Sequence, residues 1–218
     1  MRYAIYFTPP PESALERFGA VWFARKVSCL DAPRRYGFHG TLKAPFRLKA
    51  GESEPELLSA AENFATGRRA FSGPPLRLSV LAGFLALTLS EPCDELDRLA
   101  ADCVTAFDRF RAPATEAELA RRRLTGLSSR QEALLLRWGY PYVMDAFRFH
   151  MTLTGGLDEA GLDRERAEAE AMLAGPAPSL SVDAVTVMVE PKQGEAFEVL
   201  RRCEFAFPAG QRPAACRA

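Results

Sequence analysis

Hydrophobic and polar positions alternate along the chain with two periods, so strands and helices can be read off in turn. Residues 3–7 read as a first strand, closed by Thr8 and the prolines at 9–11. Ser13 can cap a helix running to about residue 24, with Leu15, Phe18, Val21 and Trp22 at helical spacing. A loop containing Pro33 leads into a strand that stops near Pro45. Pro55 then opens a helix that puts Leu57, Leu58, Ala61 and Phe64 on one face. Residues 71–90, interrupted by Pro74, Pro75 and Gly83, read as two strands. Pro92 and Asp94 start a helix carrying Leu96, Leu99, Cys103, Val104 and Phe107. From about 111 to 137 the chain forms one or two polar helical pieces, read as an insertion, which include Arg121, Arg122 and Arg123. An aromatic turn at 138–142 feeds another strand, ended by Gly155 and Gly156. Residues 158–173 form a helix closed by Gly175 and Pro176, and 181–190 with 197–207 make a closing hairpin around Pro191-Lys192-Gln193-Gly194.

Two of these strands carry the same words. Phe38-His39-Gly40-Thr41-Leu42 and Phe149-His150-Met151-Thr152-Leu153 both read Phe-His-x-Thr-Leu, and they contain the only two histidines of the protein. Strand alternation puts His39, Thr41 and Lys43 on one face, and likewise His150, Thr152 and Thr154, with apolar residues behind. The pattern strand, helix, His strand, helix, strands thus occurs twice. It predicts an α+β fold within a single bilobal domain over 1–218. Two pseudo-symmetric lobes with mainly antiparallel sheets would carry outer helices and enclose a central groove. Such symmetry would let histidines far apart in sequence meet.

Composition narrows the function. The 218 residues are 48% hydrophobic and 26% charged, as in ordinary globular proteins. The formal net charge is zero, which removes the broad electrostatic drive for long nucleic acid and leaves room for a small anion held by local donors. Five scattered cysteines without a Cys-x-x-Cys pair read as reduced thiols. The N-terminus lacks the pattern of a secretory signal and no apolar run reaches membrane-spanning length, so no membrane partner and a cytoplasmic location are expected. The sequence leaves the oligomeric state open.

Two histidines and two hydroxyls suit the cleavage of a phosphodiester, above all a strained cyclic one. An attacking oxygen needs a base and the leaving oxygen an acid, and imidazole serves as either near neutrality. Thr41 and Thr152 can donate to the non-bridging oxygens, although β propensity alone accounts for threonine in a strand. No Asp/Glu cluster accompanies the histidines, so neither metal nor cofactor is expected. Lys43 and Arg148 are candidates to hold phosphate, and a solvated strand edge is the competing reading for Lys43. Tyr36 and Tyr3 are candidates to stack on a sugar or base, with core packing as the alternative. The triple arginine reads as a solvated helix face.

At these residues the chain resembles the two-histidine (2H) phosphoesterase superfamily, with its paired His-x-Thr/Ser motifs each followed by an apolar residue. Within it, the chain looks like a bacterial subfamily of phosphonate metabolism proteins. That likeness lies in Arg2-Tyr3-Ala4-Ile5-Tyr6-Phe7, Tyr36-Gly37-Phe38-His39, Lys43-Ala44-Pro45-Phe46, Arg137-Trp138-Gly139-Tyr140-Pro141-Tyr142-Val143-Met144 and Pro191-Lys192-Gln193-Gly194-Glu195. The resemblance implies a LigT-like bilobal fold and metal-independent cyclic phosphodiesterase chemistry. It also implies a small ribose or nucleotide cyclic phosphate as substrate, with His39 protonating the leaving oxygen and His150 activating water, or the reverse. The loop at 28–31 is short beside the subfamily's usual spacing, and Gly40 stands where alanine is expected. A non-catalytic module binding a nucleotide or a phosphonate metabolite, and an RNA end-processing enzyme, are the competing functions.

Overall fold

The computed structural model describes residues 1–124, 126–173 and 179–206. The elements in chain order are β1 (Arg2–Phe7), α1 (Ala14–Ala24), α2 (Asp31–Arg34), β2 (Gly40–Phe46), α3 (Glu54–Thr66), β3 (Phe71–Leu81), β4 (Phe84–Leu89), α4 (Asp94–Ala106), α5 (Glu116–Arg123), α6 (Ser129–Trp138), β5 (His150–Thr152), α7 (Glu159–Met172), β6 (Ser179–Val182), β7 (Ala184–Glu190) and β8 (Glu198–Glu204). The helix starts follow local chemistry. The Ser13 hydroxyl accepts from the Glu16 N–H at 3.1 Å, and Ser53 with Glu56, Thr115 with Glu118 and Ser128 with Gln131 form capping boxes.

All eight strands join one antiparallel sheet in the order β6-β3-β4-β5-β2-β1-β7-β8. The architecture is mixed α+β, and the two lobes are the halves of this sheet. Each half has four strands, and the halves meet where β2 pairs with β5 at Gly40 and Met151. The repeat is visible as β1-α1-β2 and β4-α4-β5. The strands that follow do not stay with their own repeat: β3 pairs with β4, and β7 pairs with β1. That exchange locks the halves together.

One correction concerns residues 181–190, which do not form one strand. The chain breaks at Asp183, so β6 pairs with β3 in one half and β7 with β1 in the other. The buried Asp183 carboxylate is ion-paired with Arg202 of β8, which fixes the corner. The loop before the first His strand also holds a short helix, α2, with Pro33 inside it.

Which face is dry follows from the strand residues. Tyr3, Ile5 and Phe7 of β1 join Leu15 and Trp22 of α1, Leu57 of α3, Leu96 and Leu99 of α4, and Ala169 of α7 in one core. Trp22 Nε1 donates to the Leu153 carbonyl at 2.9 Å, tying α1 to the end of the second His strand. The opposite face of β1 carries Ala4 and Tyr6, which form a small separate cluster with Met188, Phe197 and Tyr36. Helices therefore back one face of the sheet, and the other face is left to form a cleft. Helix α6 of the insertion packs on the outer side of α4 through Leu134, Val104 and Val143. Among the described residues no helix is long and apolar enough to cross a membrane.

Candidate active site

The join between the sheet halves sets the site. Because Gly40 pairs with Met151 in antiparallel register, continuing one residue each way puts His39 opposite Thr152 and Thr41 opposite His150. Histidines then occupy one diagonal of a square and threonines the other. Diagonal neighbours across two strands are about 7–8 Å apart at Cβ, enough for one phosphoryl group between two rings.

Each imidazole is oriented by the same local device. His39 Nδ1 donates to the Gly37 carbonyl at 2.9 Å, and His150 Nδ1 donates to the Arg148 carbonyl at 2.9 Å. A carbonyl only accepts, so both Nδ1 atoms carry protons, and the Nε2 side of each ring is the one turned away from its anchoring carbonyl. His39 Nε2 lies 3.1 Å from the Thr41 hydroxyl. The His39 ring also stacks on Tyr6, with centroids 3.8 Å apart and planes at 20°.

This packing lowers the His39 pKa from its ordinary value to about 4, with burial as the main cause and the neighbouring His150 adding to it, against a smaller upward pull from the Gly37 carbonyl. The ring keeps an edge open to the cleft, which moderates the penalty. The sign follows: the unfolded chain binds a proton near pH 6.5, and the native site declines it until about pH 4. Stability contributed by His39 is therefore complete above pH 6.5 and falls as the pH drops toward 4. The loss is at most roughly 3 kcal/mol. Urea unfolding at pH 7.5 and 4.5 should show this extra loss in the native protein and not in His39→Asn; equal losses would refute the depressed pKa.

His39, Thr41 and Thr152 line a cleft of about 570 Å³ together with Tyr6, Tyr36, Tyr140, Ala44, Pro45, Gln193, Gly194 and four arginines, Arg2, Arg35, Arg121 and Arg122. His150, outside that lining, stands half-buried at the far corner of the square, with its ring centroid 6.0 Å from that of Phe84. Tyr36 stacks on Phe197 at 5.3 Å between centroids and closes one wall.

Three of the sequence candidates do not reach the cleft. Lys43 is 3% exposed, and its Nζ donates to the Val104 carbonyl at 2.9 Å and to Asp108 Oδ1 at 3.3 Å. The reason is a bulge. Ile5 pairs with Lys43 while the next residue, Tyr6, pairs with Thr41, so β2 carries an extra residue that breaks the alternation. Burial depresses the Lys43 pKa to about 8 in spite of Asp108. Tyr3 is also 3% exposed, on the dry face, with its hydroxyl donating to Glu54 Oε2 at 2.9 Å. Arg148 is exposed outside the cleft lining, and its visible part in the site is the carbonyl that holds His150.

Sequence reasoning passed over Tyr6, Arg2, Arg35, Arg121 and Arg122. Alternation along β1 groups Arg2, Ala4 and Tyr6 on one face, a signal for the first two residues once the dry face is known. Among the described residues no cluster of three or more His, Cys, Asp or Glu side chains could hold a metal ion.

The family described as "Protein of unknown function (DUF1045)" matches residues 41–198. A protein of Janthinobacterium sp. (strain Marseille), named ribose 1,5-bisphosphate phosphokinase PhnN, is 43% identical over 230 residues, covering 94% of this chain and 51% of its own length. One of Laribacter hongkongensis (strain HLHK9) with the same name is 37% identical over 218 residues, covering 92% and 51%. The chain thus spans about half the length of these curated relatives. Among solved structures, TT0787 of Thermus thermophilus aligns with a TM-score of 0.50 at 15% identity, covering 94% of this chain and 98% of that one. E. coli LigT complexed with 3'-AMP aligns with a TM-score of 0.49 at 18% identity, covering 94% and 97%.

Proposed function

Since the chain belongs to the DUF1045 family and has the LigT-like fold of two-histidine phosphoesterases, we propose that it is a phosphodiesterase, independent of metal, that opens a small cyclic phosphate on ribose. The observation that carries this reading is the Gly40–Met151 pairing, from which antiparallel register sets His39 against Thr152 and Thr41 against His150. The fold class alone supports action on phosphoric esters, and the ring specificity is our inference.

With Nδ1 held by the Gly37 carbonyl and its pKa near 4, His39 is neutral at pH 7 and offers the Nε2 lone pair. It takes the proton from a water whose oxygen attacks phosphorus. This reverses the order of roles preferred from sequence. At the opposite corner of the square His150, entering the step as an imidazolium with Nδ1–H still on the Arg148 carbonyl, gives its Nε2 proton to the departing sugar oxygen as the ester P–O bond breaks. The Thr152 hydroxyl donates to one non-bridging oxygen, and the Thr41 hydroxyl, which donates to His39 Nε2 in the free site, turns to the other as substrate binds and so frees that lone pair. A proton returned from His39 through water to His150 completes the cycle, and the product is an open phosphomonoester.

The relatives' name describes a different reaction, phosphoryl transfer to ribose 1,5-bisphosphate. A kinase of the P-loop kind needs Gly-Lys-Ser/Thr to cradle phosphates, and no Gly-Lys pair occurs in these 218 residues. We assign the kinase to the half of those proteins outside the match. Two activities on one chain then share a ribose phosphate, which favours ribose over a nucleotide here. We place the protein in the cytoplasm on the same ground.

The test is turnover by purified protein, in EDTA, of ribose 1,2-cyclic phosphate and of 2′,3′-cyclic nucleotides. Hydrolysis of the ribose ring is expected. Loss of activity on EDTA treatment would defeat the metal-independent mechanism, and binding without turnover of any ring would turn the reading to a sensor.

A further inference from the structure

The cleft carries more positive charge than a cyclic phosphodiester needs. Its lining holds Arg2, Arg35, Arg121 and Arg122 and no carboxylate, whereas a cyclic diester is a monoanion already met by two histidines and two threonines. Behind the lining, the fully buried Glu190 accepts from Arg2 Nε at 2.5 Å and Nη2 at 2.8 Å and lies 3.7 Å from Arg35. One carboxylate therefore orients two guanidinium groups and offsets one charge. The same Glu190 accepts from the Gly194 N–H at 3.0 Å, fixing the loop that brings Gln193 and Gly194 to the rim.

The other two arginines come from the insertion. Helix α5 is anchored by the Arg47–Glu118 pair at 3.1 Å, which ties its first turn to the residue just past β2. Its last turn then carries Arg121 and Arg122 into the cleft, with the Arg122 guanidinium 4.6 Å from the Tyr140 ring centroid. Arg123, one step further round, pairs with Glu132 at 2.5 Å and lies outside the lining.

Arg2, which Glu190 holds together with Arg35, is set apart from the histidines along β1. Arg2 starts β1 and Tyr6, under His39, is four residues on, about 13 Å along an extended strand. Long arginine side chains shorten that gap to the reach of a pentose with a phosphate at each end. Guanidinium forks match phosphate oxygens bidentately, and a phosphomonoester carries about −1.5 to −2 charge at neutral pH.

We propose that Arg121 and Arg122 of the inserted helix, with Arg2 and Arg35, form a second anion subsite that holds a phosphomonoester on the same sugar whose cyclic phosphate lies between the histidines. The identity of the first end rests on the phosphodiesterase reading above; the subsite itself rests on the arginines. The preferred substrate is thus a ribose cyclic phosphate with a second, terminal phosphate, and the insertion is the specificity element.

The experiment pairs turnover with direct binding. Wild type, Arg121→Gln, Arg122→Gln, the double variant and Arg123→Gln are given ribose 1,2-cyclic phosphate with and without a 5-phosphate. Calorimetry with ribose 5-phosphate, which has no ring to open, runs alongside. The expected kcat/KM preference for the 5-phosphorylated ring is about 100-fold or more, with roughly 10-fold of it lost in each single variant, in keeping with charge-assisted hydrogen bonds. Arg123→Gln should retain the preference. Ribose 5-phosphate should bind wild type and lose at least 10-fold in affinity in the double variant. Equal turnover of both rings by wild type would overturn the subsite and leave the phosphodiesterase standing. No turnover of either ring, with arginine-dependent binding of ribose 5-phosphate, would overturn the phosphodiesterase and leave the subsite standing. Binding that is absent, or indifferent to Arg121 and Arg122, would overturn the subsite.

Discussion

Replacing either His39 or His150 by alanine should lower kcat/KM on the cyclic phosphate by about 10² to 10⁴, the usual worth of one general acid or base. The double variant should fall little below the worse single one, because base and acid act in one concerted step and their losses do not add. The two singles differ in a second respect. His39 is stacked at 3.8 Å on Tyr6, so its removal opens space on the cleft-side face of β1. His150 is half-buried, with no ring among the described residues stacked on it as closely as Tyr6 is on His39, so its alanine variant should melt close to wild type. The pH–rate profile of the native protein should be a bell, with an acid limb set by His39, and that limb should be missing from the residual rate of His39→Ala. Activity within tenfold of wild type in His150→Ala would remove it from the chemistry.

Gly40→Ala should damage both packing and catalysis through a single added methyl. A Cβ on Gly40 would lie 2.4 Å from the edge of the Phe149 ring, well inside contact distance. The ring has little freedom to retreat, being 5% exposed and packed edge-on to Phe7 at 5.7 Å. Overpacking of this kind costs about 1–3 kcal/mol. The larger consequence is functional: Gly40 and Met151 make the pairing that joins the sheet halves, so a shift there moves His39 against Thr152 and Thr41 against His150. A fall in kcat out of proportion to the change in urea midpoint is expected, with partial rescue by Phe149→Leu, which removes the obstructing ring. A coupling energy near zero in that double-mutant cycle would show that Phe149 is not the obstacle. Gly40 is also where family likeness leads one to expect alanine, and Phe149 supplies the reason for the smaller residue.

Local chemistry made much of this protein legible from its residues alone. A Phe-His-x-Thr-Leu string fixes its own geometry: two-residue alternation puts histidine and threonine on one face, and the carbonyl two residues upstream is within reach of Nδ1. The helix start at Ser13 depends on a contact three residues along, so the capping residue announces it. Long-range contacts decided the rest. Lys43 left the histidine face because β2 bulges against β1, and pairing between strands is invisible to a pattern read along one of them. Tyr3 and Tyr6 are interchangeable tyrosines in sequence; which one reached the site depended on which face the helices covered. The break at Asp183 was hidden because β6 alternates and β7 is buried throughout, and neither pattern marks where one strand ends and the next begins. The triple arginine read as a solvated face, since its helix is amphipathic only weakly and the Arg47–Glu118 anchor spans 71 residues. The sequence alone determined the chemistry within each half, because that chemistry is local. Only the tertiary structure decided how the halves face one another and which charges line the cleft, because those depend on pairings between residues distant along the chain.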